Sequence, residues 1–209
     1  KLVYWVPVGT PPNNALPNGV FDSEVFPMWS YITHYGNWSA PFVRMPGNFA
    51  DVAHKNGIGV SVVAGIPNAS LSDSDGWIRE LKALTEIGSE KMADYMEYYG
   101  VDGLGYNSEF STGNQTLLEN LRTFHSDLYR LQKASGKNPL FENFWYDGTN
   151  DNGNITFDQG LGSHNEKTFG DSDNPRVSMF FNYNWNNVSR MEASIAKAES
   201  MGCDPLDLY

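Results

Sequence analysis

Short apolar runs alternate along this chain with longer stretches whose apolar positions recur three and four residues apart. Leu2–Val8 predicts a strand, followed by a loop rich in Pro, Asn and Gly through Gly19. Ser30–Tyr35 predicts a second, weaker strand. Asn48 is suited to cap a short helix ending near Gly57, a glycine in the usual position just past a helix end. Ile58–Ala64 then reads as a buried strand. Trp77 to Tyr99 is helical in pattern, interrupted near Gly88, with Met92, Tyr95, Met96 and Tyr99 on one face. Val101–Asn107 is the next strand. Thr116-Leu117-Leu118-Glu119 has the form of a capping box, and Leu117, Leu121, Phe124, Leu128 and Leu131 carry the following helix to Gly136. Leu140–Tyr146 and Arg176–Tyr183 are further strands. Ser189-x-x-Glu192 opens a last helix carrying Met191, Ile195 and Ala198.

Strands that alternate with helices imply a parallel sheet with helical crossovers. Six strands can be counted, whereas a closed barrel needs eight. The expected fold is therefore α/β, a (β/α)8 TIM barrel of which the chain covers about the first six strands. Residues 1–209 are expected to form one barrel domain, incomplete at its C-terminal end. An open doubly wound sheet is the alternative. Either architecture gathers its functional groups at the C-terminal ends of the strands.

Composition narrows the chemistry. The net charge of −11 disfavours a phosphate backbone or an anionic membrane surface as partner. No apolar run reaches the roughly 18–20 residues that span a bilayer. The first residue, Lys1, follows no signal-peptide pattern and is not an initiator methionine, which suggests a mature or trimmed piece. One cysteine, Cys203, excludes an internal disulfide framework and a Cys-rich zinc site. The four histidines lack ligand spacing, so neither metal nor other cofactor is expected. No glycine-rich phosphate loop is present. The many Trp, Tyr and Phe rings suit a neutral ligand such as a sugar, though most rings in any protein are core. Asn37, Asn68, Asn114, Asn154 and Asn187 each begin an Asn-x-Ser/Thr triplet, which an Asn-rich chain produces by chance.

The chemistry concentrates in Tyr99-Gly-Val-Asp-Gly-Leu-Gly-Tyr-Asn-Ser-Glu109. Strand alternation puts Gly103, Gly105, Asn107 and Glu109 on one face and turns Leu104 and Tyr106 to the other. In a barrel the first face is the interior: two glycines leave space, and an amide and a carboxyl stand at the rim. Cleaving a sugar acetal requires an acid of raised pKa. Most glycosidases add a second carboxylate. The exceptions use the substrate's own 2-acetamido group as nucleophile and need one Glu beside a group that holds the acetamide. Asn107 and Glu109 match that requirement. The bland alternative is close-packing glycines followed by a solvated Asn and Glu.

The pattern Asp102-Gly103-x-x-x-Asn107-x-Glu109 resembles the catalytic strand of the glycoside hydrolase family 85 endo-β-N-acetylglucosaminidases. It is also similar to the chitinase-like family 18 pattern, with Gly105 and Asn107 standing where that family has aspartates. Three more segments resemble family 85 in the same order: Ala53-His54-Lys55-Asn56-Gly57-Ile58, Trp145-Tyr146-Asp147, and Phe181-Asn182-Tyr183-Asn184-Trp185. The likeness covers about residues 28–209. It departs at Gly148, where the family has Ser, and throughout the opening to Pro27.

The resemblance implies hydrolysis of the GlcNAc-β1,4-GlcNAc bond of the N-glycan core through an oxazoline intermediate. Glu109 would be acid and base, Asn107 would orient the acetamide, and Tyr146 would hydrogen-bond near the intermediate. Trp185 would form a wall of the sugar site, Asn182 and Asn184 would bind hydroxyls, and Phe157 would take a place where the family often has Trp. Trp145, Tyr106 and His34 complete the candidate substrate-binding set. The implied partner is an N-linked glycan or glycoprotein, met by a monomer in the secreted space or cell envelope of a bacterium, with the cytoplasm as alternative. Two rivals stand beside this reading: a two-carboxylate glycosidase using Glu142, which is otherwise a buried structural acid, and a non-catalytic sugar-binding barrel.

Overall fold

A computed structural model describes residues 1–6, 27–37, 47–64, 74–157, 160–183 and 187–209. Six parallel strands, β1 (Val3–Val6), β2 (His34–Asn37), β3 (Gly59–Val63), β4 (Gly103–Tyr106), β5 (Phe144–Tyr146) and β6 (Ser178–Phe180), form one sheet in strictly sequential order. Sequential order among the described strands, with no point of reversal, decides against a doubly wound sheet. The chain end adds to the far edge: Leu208 bridges Met179 in parallel, Tyr209 N–H donates to Met179 O at 2.9 Å, and Phe181 N–H donates to Tyr209 O at 2.9 Å.

The sheet curls. In a flat sheet β1 and β6 would lie five strand spacings apart, roughly 24 Å. Yet the Trp5 ring of β1 meets Phe180 of β6 at 5.6 Å between centroids. The glycines make this possible. A Cβ on Gly105 would lie 2.1 Å from the Trp5 indole, and one on Gly36 only 1.9 Å from it. The space expected beneath Asn107 is therefore filled by a side chain from the opposite wall of a half-barrel.

Helices cover the outer face: α1 (Gly47–Lys55), α2 (Ser74–Ile87), α3 (Ser89–Tyr99), α4 (Gln115–Tyr129), the single-turn α5 (Glu166–Phe169) and α6 (Val188–Ser200). Their apolar stripes meet the outward residues of the strands. Tyr35 packs on Phe49 at 4.5 Å, and Val62, Leu104, Leu121 and Leu128 join one continuous core. Gly88 has φ +84 and separates α2 from α3, while Gly57 and Gly136 take positive φ just past helix ends.

Four details correct the sequence reading. Asn114, not Thr116, caps α4, its Oδ1 accepting from Leu117 N at 3.0 Å. Asn187, not Ser189, caps α6, accepting from Ser189 N at 3.0 Å. In both cases an Asn two residues upstream takes the cap and leaves the expected hydroxyl residue inside the first turn. Similarly, α1 starts at Gly47, so Asn48 lies within it. On α3, Met92 and Met96 are buried, but Tyr95 and Tyr99 stay exposed and pack on each other.

Candidate active site

The strands β4 and β5 end in the same local motif. Glu109 N–H donates to Asn107 O at 2.8 Å, and Gly148 N–H donates to Tyr146 O at 2.8 Å. Each is a three-residue turn. The first keeps the side chains of Asn107 and Glu109 on the inner side, with Ser108 buried between them. The Ser108 hydroxyl donates to Tyr146 O and ties the two turns together.

A cavity of about 420 Å³ opens over these turns. Asn107 and Glu109 line it from β4, Tyr146 from β5, Phe181 and Tyr183 from the segment after β6. Its floor is aromatic. Trp5 packs edge-on to Phe144 at 5.2 Å, Phe144 stacks on Phe180 at 5.0 Å, and Tyr209 closes against Phe180 at 5.5 Å. Tyr183, 94% exposed, stands at the rim. Such a surface offers ring faces to an apolar sugar face and a few polar groups to fix its orientation.

The electrostatics follow from the apolar floor. Burial pushes the Glu109 carboxyl above the usual carboxylate range, and a hydrogen bond from Asn107 opposes only part of this. Tyr146 is pushed up to about 12 by burial and then by its neighbour Glu109, so its hydroxyl remains a neutral donor. A carboxyl held toward its protonated form, an amide beside it and a phenol opposite can together donate a proton and orient an amide-bearing ligand.

The other predicted residues divide by strand alternation. Tyr106 and Trp145 are 1% and 2% exposed and pack against each other at 5.3 Å, on the helix side with His125. Their neighbours in sequence, Asn107 and Tyr146, face the cavity, so these two cannot. His34 is interior but lies beneath the aromatic floor, bonded to Ser61 Oγ and edge-on to Phe144 at 4.9 Å. Burial lowers its pKa to about 4, which leaves it neutral. Asn182 sits half-buried between two lining residues without lining the cavity itself. Phe157 adopts φ +47, packs beside Tyr146 at 6.1 Å and does not line the cavity. Asn184 and Trp185 fall outside the described residues.

Glu142 occupies the opposite end of the half-barrel. Ser178 Oγ donates to it at 2.6 Å, Tyr209 OH at 2.9 Å, and Lys1 Nζ lies at 3.5 Å. It is a structural acid, and it lines a separate cavity with Lys1 and Asp207. Sequence reasoning missed Trp5, Phe180, Phe181, Tyr183 and Tyr209. For Trp5 the signal was the pair of glycines, which needed a large partner. Among the described residues no cluster of His, Cys, Asp or Glu converges as a metal site, and no helix is long and apolar enough to cross a membrane.

Two solved structures are similar to the chain, and the first shows the fold. The glycoside hydrolase domain of Endo-D (Spr0440) from Streptococcus pneumoniae R6 superposes with a TM-score of 0.70 at 23% identity, over 88% of this chain and 29% of that one. A chitinase from Bacteroides thetaiotaomicron gives a TM-score of 0.48 at 16% identity, over 100% of this chain and 65% of that one. The chain thus spans less than a third of the length of the Endo-D structure. A search of curated proteins finds no match. The model of glycosyl hydrolase family 85, however, matches residues 13–209, nearly the whole length, and the chain belongs to that family.

Proposed function

We propose that the chain carries the catalytic residues of an endo-β-N-acetylglucosaminidase that cuts the GlcNAc-β1,4-GlcNAc core of N-linked glycans by substrate-assisted catalysis. One observation carries this reading. Glu109 and Asn107 stand side by side on the cavity wall, and no second carboxylate lines the cavity among the described residues. A single protonatable carboxyl cannot serve as acid and nucleophile at once. The nucleophile therefore comes from the substrate, and a 2-acetamido sugar supplies one.

In the first step Glu109 protonates the departing glycosidic oxygen while the acetamide carbonyl oxygen attacks the anomeric carbon. The C–O bond breaks and an oxazolinium ring closes. Asn107 holds the acetamide in the attacking orientation, and Tyr146 donates a hydrogen bond to the developing ring. In the second step the carboxylate of Glu109 takes a proton from water, which opens the ring and restores the acetamide. The raised pKa of Glu109 suits the proton transfer that begins the first step.

Mass spectrometry of a high-mannose N-glycopeptide, incubated with the full-length protein or its Glu109→Gln variant, tests the proposal. A peptide retaining one N-acetylglucosamine, formed only by the parent, supports it. Equal product from the variant would refute the role of Glu109, and an untouched glycopeptide would favour a sugar-binding role or another glycan.

A further inference from the structure

A residue on the neighbouring strand's loop bonds the peptide groups on both sides of Glu109. Thr149, 1% exposed, sits three residues past Tyr146. Its hydroxyl lies 2.8 Å from Ser108 O and 2.7 Å from Phe110 O, and it accepts from Phe110 N–H at 3.0 Å. A hydroxyl has one proton, so the two carbonyls share it while the oxygen lone pair takes the N–H. One side chain thereby grips the peptide groups on both flanks of Glu109.

Thr149 is itself anchored. It bridges Ile155 across a short antiparallel turn. Two residues on, buried Asp151 accepts from Thr168 N at 2.9 Å and Thr168 Oγ1 at 2.7 Å, while Arg122 of α4 donates to its carbonyl at 2.8 Å. The other side of the grip is equally fixed, because Phe110 stacks on Trp77 at 5.5 Å. Gly148 lets the loops close. A Cβ there would lie 2.5 Å from Ser108 O and 3.1 Å from Glu109 Cγ.

We propose that Thr149 is a positioning residue that sets the placement of Glu109 relative to Tyr146, a role that rests on Glu109 being the acid. Valine would fill the same space but leave the Phe110 N–H and two carbonyls without this partner, and the peptide would shift to recover them. A displacement of about 1 Å at the reacting centre costs on the order of 10²-fold in rate.

The test compares Thr149→Val and Thr149→Ser in the full-length protein by two readouts. The first is kcat and KM on the glycopeptide. The second is the titration of the Glu109 carboxyl by 13C NMR, assigned with Glu109→Gln. Thr149→Val is expected to lower kcat about 10²-fold, with KM changed by no more than about threefold. It should also move the Glu109 titration to lower pH as the carboxyl gains solvent, and Thr149→Ser should restore both. A Thr149→Val titration superimposable on the parent's overturns the proposal, as does a Ser variant impaired like Val. If the parent cleaves no such glycan, the reaction reading fails, and the titration alone still decides what Thr149 does.

Discussion

Glu109 and Glu142 are carboxyls of neighbouring strands, both inside the half-barrel, and the fold treats them in opposite ways. Glu142, at the strands' N-terminal end, is more deeply buried, and burial alone would raise its pKa. The Ser178 hydroxyl and the Lys1 ammonium outweigh that and hold it below the usual carboxylate range. At Glu109, at the other end, the Asn107 hydrogen bond lowers the pKa by less than burial raises it, and burial prevails. One carboxyl is kept charged and fully partnered, so it ties strands together. The other lies over an aromatic floor and is pushed toward its protonated form. Hydrogen-bond and charge partners, not burial alone, decide the direction of each shift.

The largest effect that bears on this contrast is the loss of Glu109. Glu109→Gln should lower kcat/KM about 10³-fold with an unchanged melting temperature. In the parent, activity should fall as pH rises through the raised pKa of Glu109, since the protonated form starts the reaction; an acidic limb alone would contradict the assignment. Asn107→Ala should cost about 10²-fold, chiefly in kcat, because its hydrogen bond matters most as charge develops. Glu142→Gln should do the converse, keeping turnover per folded molecule while losing about 1–3 kcal/mol of stability, measured by urea unfolding. Because the folded pKa of Glu142 is depressed, its contribution is present above the ordinary carboxylate pKa and fades as pH falls through the folded value. Full stability in Glu142→Gln would erase the comparison.

The smallest effect belongs to a second pair at the same N-terminal end. His54 Nε2 lies 2.7 Å from Asp102 Oδ2, and this hydrogen bond raises the His54 pKa despite partial burial. Its stabilisation is complete below the unfolded value near 6.5 and is lost as pH rises through the folded one. With the imidazole about a third exposed, the effect should stay below about 1 kcal/mol. Unfolding curves at two pH values on either side of that window, with His54→Gln as a flat reference, measure it.

Much of this was legible in the sequence. The alternation of apolar runs and amphipathic stretches marked five strands and set the second too early, since Trp29–Tyr31 forms a 3-10 turn and β2 runs His34–Asn37. The spacing of Gly103, Gly105, Asn107 and Glu109 placed an amide and an acid on one inner face. The same alternation argued that Tyr106 faces the helices, and it applies equally to Trp145. Counting these two with the site gave weight to adjacency in a motif over the direction of a side chain. The capping errors have a similar root. Ser or Thr followed by Glu three residues on is a valid start signal, but Asn114 and Asn187 were nearer the true starts and are stronger caps.

What the sequence by itself determined is what local geometry encodes: element type and order, the face each strand residue takes, and the pairing of Asn107 with Glu109. Only the tertiary structure decided that Trp5 fills the notch left by Gly36 and Gly105, that Tyr209 closes the floor, and that Thr149 grips the acid's two flanks. It alone also set Glu109 and Glu142 on opposite sides of the usual carboxylate pKa. The reason is that side-chain direction repeats every two residues along a strand, whereas desolvation and hydrogen-bond satisfaction sum over groups far apart in the chain.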